Sequence, residues 1–306
     1  MSPGRPLSVV YLAYGSVALY DQTVMSLLTL SHQLNGDFSG LQVIIYTDNP
    51  GRFSKYADAF RIKTELLTAE LVRSFKGPTL TNVHRVKTCI LKNSLEKYEA
   101  DVFYLDCDTF FLRNPRSLFG AISPSVSILN NFEYDLYDAG GWENQLWFQL
   151  RSAIRDNVFS LSGATVKIPL TTKMWNAGIT GISYSNKGLP DQILSLTDQI
   201  YSITPVFHAE QFAVSYILQE HTTVISTEDY LEHYWSKDTK AKFSHHFRIF
   251  LAGSEHLPVP DLVVAAQSFL KQRDALPMPK VTREPILRRL RKRLELVMQV
   301  VKHGHL

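Results

Sequence analysis

Cysteine is nearly absent from this chain. Two in 306 residues, Cys89 and Cys107, are too few for the disulfide framework of a small secreted scaffold. Both fall inside apolar segments, which predicts free thiols in a reducing compartment, the cytoplasm. Also missing is any uninterrupted apolar run near the roughly 18 residues of a membrane-spanning helix. The opening MSPGRPLSVVYLAYG carries an apolar patch but no signal-peptide cleavage pattern. No internal repeat and no low-complexity tract is visible. A net charge of +3 with 20% charged residues excludes general disorder. Basic residues cluster only near the C-terminus, so the footprint of a nucleic-acid partner is lacking.

What the chain does have is apolar material. Hydrophobic residues make up 45%, enough for one large core or two small ones. Strand and helix patterns alternate through the first half. LSVVYLAY (7–14) reads as a strand, and YDQTVMSLLTLSHQL (20–34) repeats apolar positions at helical spacing. LQVIIYTD (41–48) is a second strand, closed by Asn49-Pro50-Gly51. Residues 81–97 read as a helix and 101–105 as the next strand. This alternation predicts an α/β fold with a parallel or mostly parallel sheet and helices on both faces. Ligands of such sheets sit beyond the carboxyl ends of the strands. Those ends carry Tyr14-Gly15-Ser16, Thr47-Asp48 and the pair Asp106 and Asp108, as one shared crevice would require.

The densest chemical signal is VFYLDCDTFFL, residues 102–112. Val102 to Leu105 favour a buried strand, and a strand ending in Asp-X-Asp delivers two carboxylates to the sheet edge. These are hard oxygen ligands for Mg²⁺ or Mn²⁺, ions that take nucleotide phosphates as further ligands. The spacing alone arises about once by chance in a chain of this length. The apolar strand before it and the run to Arg113-Asn114-Pro115 after it supply the context. Cys107 points to the opposite face by strand alternation and reads as a filler.

Three motifs follow. MWNAGITGIS (174–183) places Asn176, Ala177 and Gly178 in a strand-like run, where small residues admit a close neighbour. FHAEQFAVSYIL sets Glu210 and Gln211 at the head of an apolar helix, where a carboxylate suits the dipole or hexose hydroxyls. EHYWSKD brings His233, a candidate third metal ligand, close to Lys237, which could neutralise a departing diphosphate. The aromatic-rich middle, 130–175, with Trp142 and Trp147, reads either as a sugar-binding surface or as a loop pinned by its own rings.

In this order the motifs resemble a glycosyltransferase of the GT-A fold, closest in pattern to glycosyltransferase family 8, the group that includes glycogenin. The resemblance covers roughly residues 7–250. It rests on TLTNVHRVKTCI, YLDCDTFFL, WNAGITGI, AEQ and HYWSK. It implies a mixed, mostly parallel sheet and a retaining hexosyltransferase that takes a nucleotide sugar, UDP-linked, to a glycan or lipid-linked hydroxyl acceptor. The resemblance makes Asp106, Asp108 and His233 ligands of Mn²⁺ (or Mg²⁺). It gives Lys87, Glu210 and Gln211 catalytic positions, with Arg85 the alternative to Lys87. The donor is expected against Ala13, Tyr14, Lys87, Asp106, Cys107, Asp108, Asn176, Ala177, Gly178 and Lys237. Two departures stand out. Ser236 occupies a position where the family has glycine, and Lys237 comes early, with Lys240 its rival. His245 and His246 are alternative metal ligands.

Other readings predict other sequences. A haloacid-dehalogenase-type phosphatase wants Thr or Val two residues after the second aspartate, near the chain start, and Phe110 stands there instead. A sugar-nucleotide pyrophosphorylase needs a Gly-rich, Arg-containing loop after the first strand, which YLAYGSVALYDQ is not. A non-catalytic carbohydrate-binding protein of the same fold could dispense with the metal ligands. Mn²⁺-dependent UDP binding separates all three from a transferase.

The C-terminal stretch is different in character. Apolar residues at 286, 287, 290, 294, 297, 298 and 301 line one helix face. Residues 283–302 hold seven basic and two acidic side chains, more positive charge than the whole chain's net +3. Residues 284–302 are therefore read as an amphipathic helix on an anionic membrane surface, making the protein peripheral. The other reading docks the stripe on the core. The expected division is a catalytic domain, 1–260, and a helical extension, 261–306.

Overall fold

The computed structural model describes residues 6–79, 81–138 and 145–279. The basic stretch 284–302 and Trp142 lie outside these residues. Among the described residues the chain runs β1 (Leu7–Ala13), α1 (Val17–Gln33), β2 (Leu41–Thr47), β3 (Ile62–Leu66), α2 (Ala69–Phe75), α3 (Arg85–Tyr98), β4 (Asp101–Leu105), β5 (Thr109–Phe111), α4 (Arg116–Ala121), β6 (Val126–Leu129) and β7 (Phe132–Asp135). It continues through α5 (Gln145–Asp156), β8 (Phe159–Leu161), β9 (Ala164–Val166), β10 (Lys173–Trp175), β11 (Ile179–Ile182), α6 (Leu189–Ile203), α7 (Ala209–His221), β12 (Thr223–Ser226), β13 (Leu231–His233), α8 (Lys237–Gly253) and α9 (Val259–Leu270).

Seven strands form one sheet in the order β12-β6-β11-β4-β1-β2-β3. β1 pairs in parallel with β2 and β4, so that Val9 stands opposite both Val43 and Phe103. The β2–β3 and β6–β12 pairs are also parallel, whereas β11 runs antiparallel between β4 and β6. The sheet is thus mixed and mostly parallel. Its pleat feeds two cores. Leu7, Val9, Tyr11 and Ala13 pack with residues of α1, α8 and α9, while Val10 packs with residues of α3, α6 and α7. Burial on both faces is why β1 and β4 read as near-continuous apolar runs.

Local chemistry moves some boundaries from those predicted. α1 opens at Val17 because Ser16 caps it, its hydroxyl accepting from Leu19 N at 3.4 Å. α3 opens at Arg85, whose N–H donates to Asn82 Oδ1 at 3.2 Å. The run 174–183 divides in two. β10 joins β7 in a separate two-stranded sheet and β11 enters the main sheet, leaving Asn176-Ala177-Gly178 as the crossing. α9 crosses the expected division at residue 260 and packs Leu262, Ala266 and Leu270 into the core that holds α1. No helix among the described residues is long and apolar enough to cross a membrane.

Candidate active site

Strand alternation continues past the end of β4. Phe103, Leu105 and Cys107 enter one core and Tyr104 the other. The Tyr104 hydroxyl donates to Asp106 Oδ1 at 2.9 Å. The Cys107 thiol turns inward and donates to the Leu12 carbonyl at 2.9 Å, so any part it takes in donor binding falls to its backbone. Asp106 Oδ2 pairs with Lys87 Nζ of α3 at 2.5 Å, and Asp108 Oδ2 with Lys240 Nζ of α8 at 2.7 Å. β13 pairs antiparallel with β5 and sets His233 opposite Thr109, beside Asp108. His233 Nε2 lies 3.5 Å from Asp108 Oδ2 and 4.0 Å from Asp106 Oδ2. One ligand atom from each of Asp106, Asp108 and His233 falls within 4.8 Å of the others.

This donor set fits a divalent ion. Of the two amides beside His233 Nδ1, the nearer is Asn176, whose Oδ1 at 3.0 Å only accepts and so calls for the proton on Nδ1, whereas Asn130 Nδ2 at 3.3 Å only donates. Nε2 then presents its lone pair, buried and without a hydrogen-bond partner among the described residues. A lone pair facing two carboxylates is repulsive without a cation and becomes coordination with one. Two carboxylates and an imidazole are ligands that Mn²⁺ or Mg²⁺ accepts.

The Asn176-Ala177-Gly178 crossing closes the site. Asp106 N donates to the Gly178 carbonyl at 2.7 Å. A Cβ on Gly178 would lie 2.1 Å from His233 Cε1. The close neighbour that this glycine admits is therefore the His233 ring.

These groups open onto a cavity of about 650 Å³. Its wall brings together Lys87, Asp106, Asn176, Ala177, Gly178, Glu210, Gln211 and His233 from five separated stretches of sequence. Asp108 sits behind it, 3% exposed. The wall does not include Ala13, Tyr14, Cys107 or Lys237. The β1 and β2 ends are instead tied to each other: Asp48 accepts from Gly15 N at 3.2 Å and from the Tyr20 hydroxyl at 2.6 Å. Lys237 is the exposed first residue of α8, and Lys240, one turn on, reaches the cavity. His246 is engaged by the Pro277 carbonyl at 2.8 Å, and His245 is exposed on the same helix. Arg85 is held by Asp198 through bonds of 2.8 and 3.0 Å, which leaves the aspartate site to Lys87.

Sequence reasoning missed Glu133, Asn131, Phe132, His84, Phe207, His208 and Trp235 on the same wall. The aromatic density of the middle segment hinted at Asn131 and Phe132, while His84, Phe207, His208 and Trp235 lie within TLTNVHRVKTCI, FHAEQFAVSYIL and EHYWSKD without standing out there. The segment is pinned by its own rings, and part of it faces the cavity. Tyr134 and Trp147 pack edge to face at 4.7 Å while lining the cavity. Glu133 had no signal at all, because nothing in FEYD sets its carboxylate apart from its neighbours.

Burial and charge set the protonation states. Burial disfavours a charged Lys87, but Asp106 and Glu210 outweigh it and hold the ammonium above the usual lysine range. Burial pushes Glu210 up to about 7, against the pull of Lys87 and of the Thr88 hydroxyl that donates to it at 3.0 Å. Burial, with help from Lys87, pushes His84 down to about 4. Burial between Trp147 and Phe207, with help from His84, takes His208 down to about 3.

A pH dependence follows. Between pH 6.5 and about 4 the unfolded chain takes protons on both histidines that the folded chain refuses, so stability falls as pH falls. Glu210 acts in the opposite sense between 7 and 4.5, since the folded state holds its proton more tightly. For these three groups the net slope is that of one, roughly 1.4 kcal/mol per pH unit. In His208→Gln the two remaining groups oppose each other, so urea unfolding from pH 6.5 to 4.5 should lose most of this slope. A slope equal to that of the native chain would show that His208 is not held neutral.

No family model matches the sequence, and no curated protein matches it significantly. Among solved structures, the galactosyltransferase LgtC in complex with donor and acceptor sugar analogs aligns over 81% of this chain and 95% of its own, at 13% identity and a TM-score of 0.51. Mouse xyloside xylosyltransferase 1, in apo form, aligns over 72% and 85% at 13% identity, with a TM-score of 0.43. The mannosyltransferase PcManGT from Pyrobaculum calidifontis, in complex with GDP-Man and Mn²⁺, aligns over 97% and 81% at 10% identity, with a TM-score of 0.41. At such identities the likeness is one of fold, carried by LgtC with its TM-score of 0.51. The mixed, mostly parallel seven-stranded sheet flanked by helices is that of the GT-A glycosyltransferases.

Proposed function

We propose that this chain is a metal-dependent glycosyltransferase that moves a hexose from a UDP-linked sugar to a hydroxyl acceptor, with retention as in family 8. The observation that carries it is the Asp106–Asp108–His233 cluster opening onto a 650 Å³ cavity at the carboxyl end of β4. Asp106, Asp108 and His233 would hold Mn²⁺ or Mg²⁺, which when bound supplies positive charge to the donor diphosphate. Lys240 takes the phosphate role first expected of Lys237, its ammonium already at the cavity beside Asp108. Lys87 holds Asp106 in place. Glu210 and Gln211, with Asn176 and Ala177, face the space where the hexose would sit, and the aromatic wall limits water. Ala13, Tyr14 and the Cys107 backbone fall to the nucleotide side.

A screen of nucleotide sugars for hydrolysis and transfer, with and without Mn²⁺, tests this. UDP release from one donor that depends on the ion is expected. Failure of every donor to be bound or cleaved with any divalent ion would overturn the proposal.

The tail belongs to the same proposal. Residues 284–302 would hold the enzyme on an anionic cytoplasmic membrane near a glycan or lipid-linked acceptor, and two unpaired cysteines fit that reducing side. Each basic residue near the surface contributes on the order of 1 kcal/mol. Deleting 284–306 should release the protein from anionic vesicles and spare hydrolysis of a soluble donor. Unfolding or aggregation of the truncated chain would instead show the stripe packing on the core.

A further inference from the structure

Glu133 on β7 has both carboxylate oxygens occupied. Oε1 accepts from Asn176 Nδ2 at 2.9 Å and Oε2 from Gln211 Nε2 at 2.8 Å. A carboxylate only accepts, so it fixes which end of each amide faces it. For Asn176 this turns Oδ1 the other way, where it accepts from Gly178 N at 3.0 Å and lies 3.0 Å from His233 Nδ1.

A second amide competes for that same nitrogen. Asn130 Nδ2 lies 3.3 Å from His233 Nδ1. The Asn130 amide is itself oriented, its Oδ1 accepting from the Thr227 hydroxyl at 2.9 Å and its Nδ2 donating to Asn131 Oδ1 at 2.8 Å. Asn176 asks for a proton on Nδ1, and Asn130 offers one to Nδ1. The first leaves Nε2 free to coordinate. The second puts the proton on Nε2, aimed at Asp106 and Asp108, and blocks the site. The outcome depends on which way the Asn176 amide points, and the Glu133 carboxylate fixes that together with the Gly178 N–H.

We propose that Glu133 is a positioning residue which, through the Asn176 amide, holds His233 in the tautomer that can ligate a metal. This rests on the metal-dependent reading given above. Removing the carboxylate leaves the Gly178 N–H as the remaining restraint on the Asn176 amide and shifts the balance at Nδ1 toward Asn130. Groups that fix a ligating histidine's other nitrogen typically change metal affinity about 10- to 100-fold.

Three proteins test it: the native chain, Glu133→Gln, and the double variant Glu133→Gln with Asn176→Asp. In the double variant the polarity of the pair is reversed. The new glutamine donates to the new carboxylate, which still accepts from Gly178 N and from His233 Nδ1. Mn²⁺ affinity is read by calorimetry without donor, and the His233 tautomer by ¹⁵N NMR of the metal-free protein above pH 8. The native chain should show the proton on Nδ1. Glu133→Gln should shift it toward Nε2 and weaken Mn²⁺ by about 10- to 100-fold. The double variant should restore both. A native His233 protonated on Nε2 overturns the proposal even if no variant folds. So does a Glu133→Gln protein with native affinity, or one that loses affinity with its tautomer unchanged. A native chain that binds no Mn²⁺ but carries the Nδ1 proton would sink the metal reading and leave the Glu133 relay standing.

Discussion

Asp108→Asn should lower Mn²⁺-dependent turnover of the donor by about 100- to 1000-fold, the scale of losing one well-placed electrostatic group in a water-excluded site. Asparagine keeps the volume at a position only 3% exposed, so the packing around it survives. What disappears is the charge that Lys240 and His233 face. The freed Lys240, 45% exposed, can turn toward water. The variant should therefore fold, bind UDP weakly, and show no further gain on adding Mn²⁺. Calorimetric titration of UDP with and without the ion checks this. A variant whose UDP affinity still rises with Mn²⁺ would place the metal elsewhere.

Gly178→Ala should have the second largest effect, for a reason of space. Gly178 has ordinary backbone angles, so conformational freedom is not what it supplies. The added methyl would meet His233 Cε1 at 2.1 Å, and the His233 ring is held at Nδ1 by Asn176 Oδ1 at 3.0 Å. Overpacking of this kind costs about 1–3 kcal/mol. Displacement of the ring should weaken Mn²⁺ by at least the 10- to 100-fold typical of a disturbed ligand. The double variant with His233→Ala makes room for the methyl and should recover stability without recovering metal binding. Native Mn²⁺ affinity in Gly178→Ala would show that His233 is not a ligand.

Much of the fold was legible because it is local. The strand patterns at 7–14 and 41–48 became β1 and β2 within one residue, since burial on both faces leaves an apolar run in each. Helix starts were less legible, because they depend on single caps such as Ser16 rather than on periodicity. The shared crevice was legible only in part. The end of β4 opens on the cavity, but the ends of β1 and β2 close on each other through Asp48.

The sequence by itself determined that Asp106 and Asp108 share a side and that Cys107 leaves it, because side chains alternate along a strand. It also determined which residue types were at hand for a divalent ion. Tertiary structure alone decided which of them meet. β13 lies beside β5 and carries His233 to the aspartates, while His245 and His246 stay with α8. The first turn of α8 carries Lys240, not Lys237, over Asp108, since one helical turn changes the height of a side chain along the axis. Gly178 proved necessary to a ring from another element, and Glu133 reached two amides on separate elements. Such contacts join residues far apart in the chain, and no periodicity or local propensity records which distant side chain will arrive.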